Sequence, residues 1–198
     1  MALSKIEKPA LIVIDMVNDL FDPARNLPIV APARAIIDPI NCLSNRFRAN
    51  GWPVVFSTDA FHEDDFIFTG AMHPHALAGT PGAQVIDDLN RTPDDYWLPK
   101  PRFSAFFDTD LETWLRQRAV TLCAVAGVAT HFCVLTTVMD AICHGFKTVL
   151  LEDCTAAPSN AIHEQILNCY RRNPLYPLLQ VISSQELIEQ TGKAEDPQ

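Results

Sequence analysis

The sequence is poor in several features that mark particular classes of protein. No apolar run reaches the about 18–20 residues that a helix needs to cross a bilayer. Basic residues are scarce, with 15 Lys and Arg against 24 Asp and Glu, and the formal net charge of -9 leaves no basic field to attract phosphate. These absences argue against a membrane protein and against nucleic acids or anionic membrane surfaces as partners.

Motifs of other classes are missing as well. The six cysteines form neither a CxxC pair nor a compact disulfide framework. The amino-terminal segment lacks a secretory layout, because its apolar run is short and acidic residues follow at once. "GTPG" lacks the Lys-Ser/Thr of a P-loop, and no GxGxxG follows the first apolar run. We therefore expect a cytoplasmic protein with reduced thiols and no organic cofactor.

What the sequence does contain is typical of a single α/β domain. The 198 residues, 48% of them hydrophobic, suffice for one domain with a sizeable core. The apolar runs are short and continuous, as in strands buried on both faces, and lie at residues 10–15, 53–58, 121–127, 147–153 and 178–183. Helical patterns alternate with them, at residues 32–50 (which Pro39 could kink), 108–119, 132–145 and 159–173. This alternation predicts βαβ units and a parallel sheet with helices on both faces.

Two segments depart from the alternation. Residues 59–107 carry three histidines, several prolines and a run of acids, and we interpret so long an irregular insertion as functional. Residues 192–198 are expected to form a flexible tail. In open α/β sheets the ligand site lies beyond the carboxyl ends of the strands. That rule selects Asp15, Asp59, the segment around Lys100, Cys133 and Asp153.

Cys133 follows an apolar run by six residues, at the predicted start of a helix. The free N–H groups and partial positive charge of a helix amino terminus stabilise a thiolate and could bind a developing oxyanion. The alternative is a packed thiol in an apolar helix, which is the common role of a cysteine. We keep that interpretation for Cys123, Cys143, Cys154 and Cys169.

Asp15 and Lys100 are candidate partners of this thiol. Asp15 ends the first apolar run, where a carboxylate could act as a general base or simply cap a turn. Lys100 lies between two prolines, and in a cleft its charge could lower the pKa of the thiol. Asp59, His62 and His75 are residue types that bind divalent metals, although their spacing is not a standard zinc pattern.

Three segments carry a resemblance to a known family: "IVIDMVNDLF" around Asp15, "KPRFSAFFDTDL" around Lys100 and "VAGVATHFCV" around Cys133. In this order they resemble the isochorismatase-like cysteine hydrolases, specifically the nicotinamidase and related amidohydrolase branch, over roughly residues 9–158. The resemblance implies a three-layer αβα fold with a six-stranded parallel sheet. It also implies a small-molecule amide substrate and assembly as a homodimer or homotetramer.

The resemblance further implies a role for each residue of the site. Cys133 would be the nucleophile, Asp15 the base that takes its proton, and Lys100 the group that orients and polarises the pair. A cis peptide between Val128 and Ala129 would aim the Ala129 N–H into the site, so that Ala129 and Cys133 supply the oxyanion hole. The residues expected to contact the substrate are Phe21, Val128 and His131.

The metal loop departs from the family pattern. Nicotinamidases typically have Asp-X-His there, whereas this chain reads "DAFHEDD", with Phe61 at the position of the direct His and His62 one residue later. Three outcomes stay open for a divalent metal, of which zinc would be the first choice. His62 ligates together with Asp59 and His75, Glu63 or Asp64 replaces it, or no metal binds.

The favoured interpretation is a cysteine-dependent amidohydrolase that releases ammonia through a thioester. Its substrate would be nicotinamide, or a carbamoyl or ureido compound such as N-carbamoylsarcosine. Two rivals remain: a metal-dependent hydrolase that activates water with Asp59, His62 and His75, and a non-catalytic binding protein of the same fold.

Overall fold

The computed structural model describes residues 7–192, which are organised around a six-stranded sheet. The strands are Pro9–Ile14 (β1), Val54–Asp59 (β2), Tyr96–Lys100 (β3), Leu122–Val128 (β4), Lys147–Ala156 (β5) and Leu179–Ile182 (β6). All neighbours are parallel, in the order β3-β2-β1-β4-β5-β6. The predicted α/β fold with a six-stranded parallel sheet is therefore confirmed. The predicted tail lies outside the described residues, except for its first residue, Gly192.

Helices cover both faces of the sheet. They are Asn18–Phe21 (α1), Val30–Ala35 (α2), Ile37–Ala49 (α3), Leu111–Gln117 (α4), Leu135–Cys143 (α5), Asn160–Arg171 (α6) and Ser184–Gly192 (α7). One hydrophobic cluster joins the sheet to α2, α3 and α7, and a second joins it to α4, α5 and α6. None of these helices within residues 7–192 is long and apolar enough to cross a membrane.

β1 illustrates how the sequence produces this arrangement. Leu11 and Val13 belong to the first cluster, whereas Ala10, Ile12 and Ile14 belong to the second. Successive side chains of a strand point to opposite faces, so a strand covered on both faces is apolar at every position. This is why the strands appear in the sequence as continuous apolar runs.

β3 was not predicted from such a run. All five predicted runs are strands, and β3 is a sixth strand inside residues 59–107, so this insertion is not irregular along its whole length. β3 is an edge strand, and an edge tolerates the missing N–H of Pro99. Tyr96 and Trp97 are only partly buried, which removes the apolar signal of a central strand.

The helix predicted over residues 32–50 is two helices, α2 and α3, which meet at Ile36. Pro39 lies in the first turn of α3, where its missing N–H costs no hydrogen bond. Its ring would clash with the carbonyl of Ala35, four residues earlier, in one continuous helix. The break therefore precedes the proline by a few residues.

One further helix, α7, was not predicted from the sequence patterns.

Candidate active site

Four chemically active side chains meet at one edge of the sheet. Asp15 follows β1 directly, Asp59 is the last residue of β2, Lys100 is the last residue of β3, and Cys133 comes five residues after β4. The carboxyl ends of parallel strands lie at the same edge, and the order β3-β2-β1-β4 makes these strands neighbours. The structure thus brings Asp15, Lys100 and Cys133 together, and adds Asp59 to them.

Lys100 connects the two carboxylates. Its side chain is fully buried, and its Nζ donates to Asp15 Oδ2 at 2.9 Å and also contacts the Asp59 carboxylate. Asp15 Oδ1 accepts the backbone N–H of Asp59 at 2.7 Å. Asp15 adopts a left-handed backbone conformation with φ of 53°. Backbone strain of this kind in a non-glycine residue is concentrated at functional sites.

The Cys133 thiol lies against this pair of carboxylates. Its residue is 8% exposed, and the Sγ atom and one carboxylate oxygen each of Asp15 and Asp59 all lie within 4.8 Å of one another. Burial raises the pKa of the Cys133 thiol well above its ordinary value, and Lys100 only partly offsets this by lowering it. The expectation that Lys100 lowers the pKa is therefore correct in direction, but burial and the two carboxylates outweigh it.

The neighbouring groups share this buried environment. Burial, followed by the charge of Asp15, raises the pKa of Asp59 to about 7, while Lys100 opposes the shift. Burial by itself lowers the pKa of Lys100, but the charges of Asp15, Asp59 and Cys133 together raise it above its ordinary value. Lys100 therefore stays charged, and the cluster can hold or release a proton at Asp59 near neutral pH.

The turn after β4 places Cys133. The Val128–Ala129 peptide is cis, and the Ala129 N–H donates no hydrogen bond to another residue within residues 7–192. A wide helical turn follows, in which the Val134 N–H donates to the Ala129 carbonyl at 3.3 Å, and α5 begins only at Leu135. Cys133 thus lies in an irregular turn before α5, rather than in the first turn of a regular helix as predicted.

A hydrogen-bonded network supports this turn from behind. Buried Thr130 lies 2.9 Å from His163 Nδ1, and His163 Nε2 lies 3.1 Å from the carbonyl oxygen of Glu152. Because a carbonyl only accepts, Nε2 donates to it, and in the neutral imidazole Nδ1 accepts from the Thr130 hydroxyl. The network ties the turn to β5 and α6.

A cavity of about 370 Å³ opens over the cluster. Asp15, Asp59 and Cys133 line it together with a largely apolar wall that includes Val17, Leu20, Leu27, Ile29, Met72, Phe103, Val128 and Phe132. The polar side chains of Asp19, Arg25, His73 and His75 also line it. Small-molecule sites typically combine such a wall with a few polar groups. The volume suits one small substrate.

Of the predicted substrate contacts, the structure places Val128 and not the other two in this wall. Phe21 packs on the core beside α1 with the Arg34 guanidinium 5.2 Å from its ring, and its neighbour Leu20 faces the cavity instead. His131 does not line the cavity, and its ring packs against Phe132, which does. In both cases the adjacent residue lies on the side of the cavity.

Asp153 was also selected by its position near a strand end. β5 continues beyond it to Ala156, and its carboxylate accepts the N–H and the hydroxyl of Ser184 at the start of α7. Asp153 therefore holds a helix start and takes no part in the cluster.

The predicted metal ligands do not come together. His62 is exposed and does not line the cavity, because Phe61 turns inward instead and packs against Phe68 and His75. His75 lines the cavity, and its Nδ1 lies 2.9 Å from the His73 carbonyl. The set of Asp59, His62 and His75 is therefore wrong as a ligand group, and these residues do not fit a histidine-rich metal centre.

A different group has the spacing of a metal site. Among the described residues, Asp15, Asp59 and Cys133 bring three potential ligand atoms within 4.8 Å of one another. Carboxylate oxygens and a thiolate are ligands of zinc, so the group is compatible with a metal ion. Lys100 already holds both carboxylates with its own positive charge.

Some residues of the cavity carry no clear signal in the sequence. Arg25, Phe103 and Phe132 line it, and none was selected. Arg25 lies eleven residues beyond the end of β1 and Phe103 three beyond the end of β3, so the rule on strand ends reaches neither of them. Phe132 stands directly before Cys133 in the sequence, and this position indicates that it belongs to the site.

The chain is similar to several solved hydrolases. Nicotinamidase PncA from Bacillus subtilis is 34% identical, with a TM-score of 0.74, and the match covers 89% of this chain and 99% of that one. N-carbamoylsarcosine amidase from Thermoplasma acidophilum is 28% identical, with a TM-score of 0.76 and coverage of 89% and 96%. A pyrazinamidase of Pyrococcus horikoshii, solved in complex with zinc, is also 28% identical, with a TM-score of 0.76 and coverage of 89% and 99%.

Fold and site together define a parallel α/β hydrolase with a thiol, two carboxylates and a lysine at the carboxyl edge of its sheet. The isochorismatase domain matches residues 9–186, and the chain belongs to the isochorismatase family, in its nicotinamidase-related branch. It is an amidohydrolase, an enzyme that acts on carbon–nitrogen bonds other than peptide bonds.

Proposed function

We propose that the enzyme hydrolyses the terminal amide of a small carboxamide or carbamoyl compound through a thioester on Cys133. The observation that carries this proposal is the convergence of Asp15, Lys100 and Cys133 from three strand ends on one cavity. A nucleophile beside a base that is itself held by a third group is the general arrangement of covalent catalysis. If the Cys133 thiol were only a packed, inert group, the buried charges of Asp15, Asp59 and Lys100 beside it would have no function.

In the first half of the reaction, Cys133 Sγ attacks the carbonyl carbon of the amide while Asp15 accepts the thiol proton. Since the pKa of the thiol is raised by burial, attack and proton transfer are coupled, and no free thiolate has to form first. The N–H groups of Ala129 and Cys133 bind the oxyanion. Asp15 then returns the proton to the leaving nitrogen, the C–N bond breaks, and ammonia departs.

In the second half, Asp15 accepts a proton from a water molecule that attacks the thioester carbonyl. The C–S bond breaks, Cys133 recovers its proton, and a carboxylic acid leaves. Lys100 stays charged throughout and keeps Asp15 in place by its hydrogen bond to Oδ2. The net reaction is amide plus water to acid plus ammonia.

Two substrate classes follow from the relatives. One relative is named nicotinamidase and another N-carbamoylsarcosine amidase, so nicotinamide and carbamoyl or ureido compounds are both candidates. The positions of Phe61 and His62 favour the second class, because a histidine-rich metal centre that could help to hold a pyridine ring is missing from this loop.

Zinc is the metal to consider first, since one relative was solved with it and a thiolate with two carboxylates suits it. Asp15, Asp59 and Cys133 would hold it. A metal on these residues would bind Cys133 Sγ and the Asp15 carboxylate, which are the nucleophile and the base of the proposed mechanism. We therefore propose that turnover does not require a metal at this position.

The test is an ammonia-release screen over nicotinamide, pyrazinamide, N-carbamoylsarcosine, ureidoacrylate and biuret. We expect turnover of at least one compound, and a loss of about 10³-fold or more in kcat for Cys133→Ala. Cys143→Ala removes an exposed thiol and should behave like the wild type. Wild-type turnover by Cys133→Ala would exclude the thioester mechanism, and loss of activity on chelation would point to a metal-dependent reaction.

A further inference from the structure

The cavity has one cationic feature that the proposed mechanism does not use. Among the described residues that line it, Arg25 is the only lysine or arginine. Lys100 lies beneath the cavity and is committed to the two carboxylates. Apart from the cluster, the other polar side chains of the wall are Asp19, His73 and His75, and the rest of the wall is apolar. An arginine in such a wall is a candidate for recognising negative charge on the substrate.

The backbone holds Arg25 in a defined place. It ends a short 3₁₀ turn, Pro23–Arg25, whose start is capped by the Asp22 carboxylate through the Ala24 N–H at 2.9 Å. Asn26 closes the turn in a left-handed conformation, with its N–H donating to the Pro23 carbonyl. Arg25 therefore projects from a fixed turn rather than from a long loose loop.

The guanidinium of Arg25 has donors to spare. Its nearest carboxylate oxygen, Asp19 Oδ2, is 3.9 Å away, too far for a hydrogen bond, and already accepts the Ala76 N–H at 2.7 Å. Within residues 7–192 we find no hydrogen bond from this guanidinium. Arg48 has almost the same exposure, 22% against 23%, yet binds Asp95 with two hydrogen bonds of 3.0 and 2.7 Å.

We propose that Arg25 binds a carboxylate group of the substrate, so that the enzyme acts on small primary amides that also carry an acid. The planar guanidinium matches the two oxygens of a carboxylate, which a lysine cannot do with the same geometry. The substrate then spans the cavity, with its amide at Cys133 and its acid at Arg25. N-carbamoyl amino acids and monoamides of dicarboxylic acids have this chemistry.

This inference rests on the proposed function for the amide end, and its test separates the two. Succinamate carries both groups, and butyramide has a methyl group in place of the carboxylate. Binding of each is measured by calorimetry in a Cys133→Ala background, where no turnover is needed. We expect succinamate to bind about 10–100-fold more tightly than butyramide, and Arg25→Gln to abolish most of this ratio.

Arg25→Lys keeps the charge without the planar fork and should retain part of the ratio. Arg34→Gln is the matched control, because Arg34 also lies 3.9 Å from a carboxylate, that of Asp88, but is outside the cavity. Equal binding of the two compounds, or an unchanged ratio in Arg25→Gln, would overturn the inference. An Arg25-dependent ratio in a protein that hydrolyses no amide would support Arg25 while rejecting the proposed function.

Discussion

At the scale of single residues, Cys133 is subject to opposing influences. Burial raises the pKa of its thiol, Lys100 lowers it, and the carboxylates of Asp15 and Asp59 raise it further. The thiol therefore keeps its proton at neutral pH in the free protein, and an attack has to be coupled to proton transfer. This is why the proposed mechanism gives Asp15, rather than the start of a helix, the central part in activating the sulfur.

Replacing Asp59 should make the thiol easier to ionise. Asp59→Asn removes one negative charge that disfavours the thiolate, and leaves Lys100 to act on Cys133 and Asp15. We expect the pH midpoint for alkylation of Cys133 by iodoacetamide to move to lower pH. The measurement is the alkylation rate across pH, followed by mass spectrometry of the Cys133 peptide, with a chelator present to keep metals off the site.

Asp94→Asn is the control for this experiment, because Asp94 is an exposed aspartate on the loop before β3. Asp94→Asn should leave the pH midpoint for alkylation of Cys133 at its wild-type value. A midpoint that stays in place or rises in Asp59→Asn would contradict the electrostatic account of the cluster.

At the scale of elements, the site depends on how closely the end of β4 approaches β1. Gly127 has a φ of 98°, and a Cβ added there would lie 2.1 Å from the Ile14 carbonyl oxygen and 2.6 Å from the Ile14 N. Both are backbone atoms of the neighbouring strand, which cannot move without disturbing Asp15. Gly127 therefore sets the distance between the strand ends that carry Asp15 and Cys133.

Gly127→Ala should be strongly destabilising. The left-handed backbone and the clash with Ile14 act together, and we expect a loss of about 3–5 kcal/mol in the free energy of unfolding, or no folded protein. Urea denaturation followed by circular dichroism measures the loss. Alkylation of Cys133 in whatever folded fraction remains should be faster, because the turn that buries the thiol is displaced.

Gly145→Ala is the matched comparison, since Gly145 follows α5 with a φ of 76° and an added Cβ would meet no atom within 4 Å. Only the backbone strain remains there, so the expected loss is about 1–2 kcal/mol. Equal losses in the two variants would mean that close packing of β4 on β1 contributes nothing beyond strain.

At the scale of the whole molecule, the parts that could be predicted are those with a repeating or local signal. Continuous apolar runs identified five strands, and the rule on strand ends selected Asp15, Asp59, Lys100 and Cys133. β3 was missed because an edge strand with Pro99 lacks that signal. The predicted metal ligands were wrong for a related reason. Whether Phe61 or His62 turns inward depends on packing against Phe68 and His75, and the order of residues in the sequence does not show that packing.

Metal binding to the intact protein gives the last prediction. Because a metal on Asp15, Asp59 and Cys133 would occupy the groups of the proposed mechanism, we expect protein dialysed against chelator to keep its amidase activity. Added zinc should inhibit it in a saturable way. Calorimetry should show zinc binding that Cys133→Ala weakens and that Cys143→Ala, an exposed thiol, does not.

The opposite pattern has an equally clear meaning. If dialysis abolished turnover and one equivalent of zinc per chain restored it, the ion would be part of the catalyst. The ammonium of Lys100 would then have to give up its contact with one carboxylate, since ammonium and metal compete for the same oxygens. Adding succinamate before zinc tests the inhibitory pattern. If succinamate prevents the inhibition, the ion and the substrate compete for the same place beside the Cys133 sulfur.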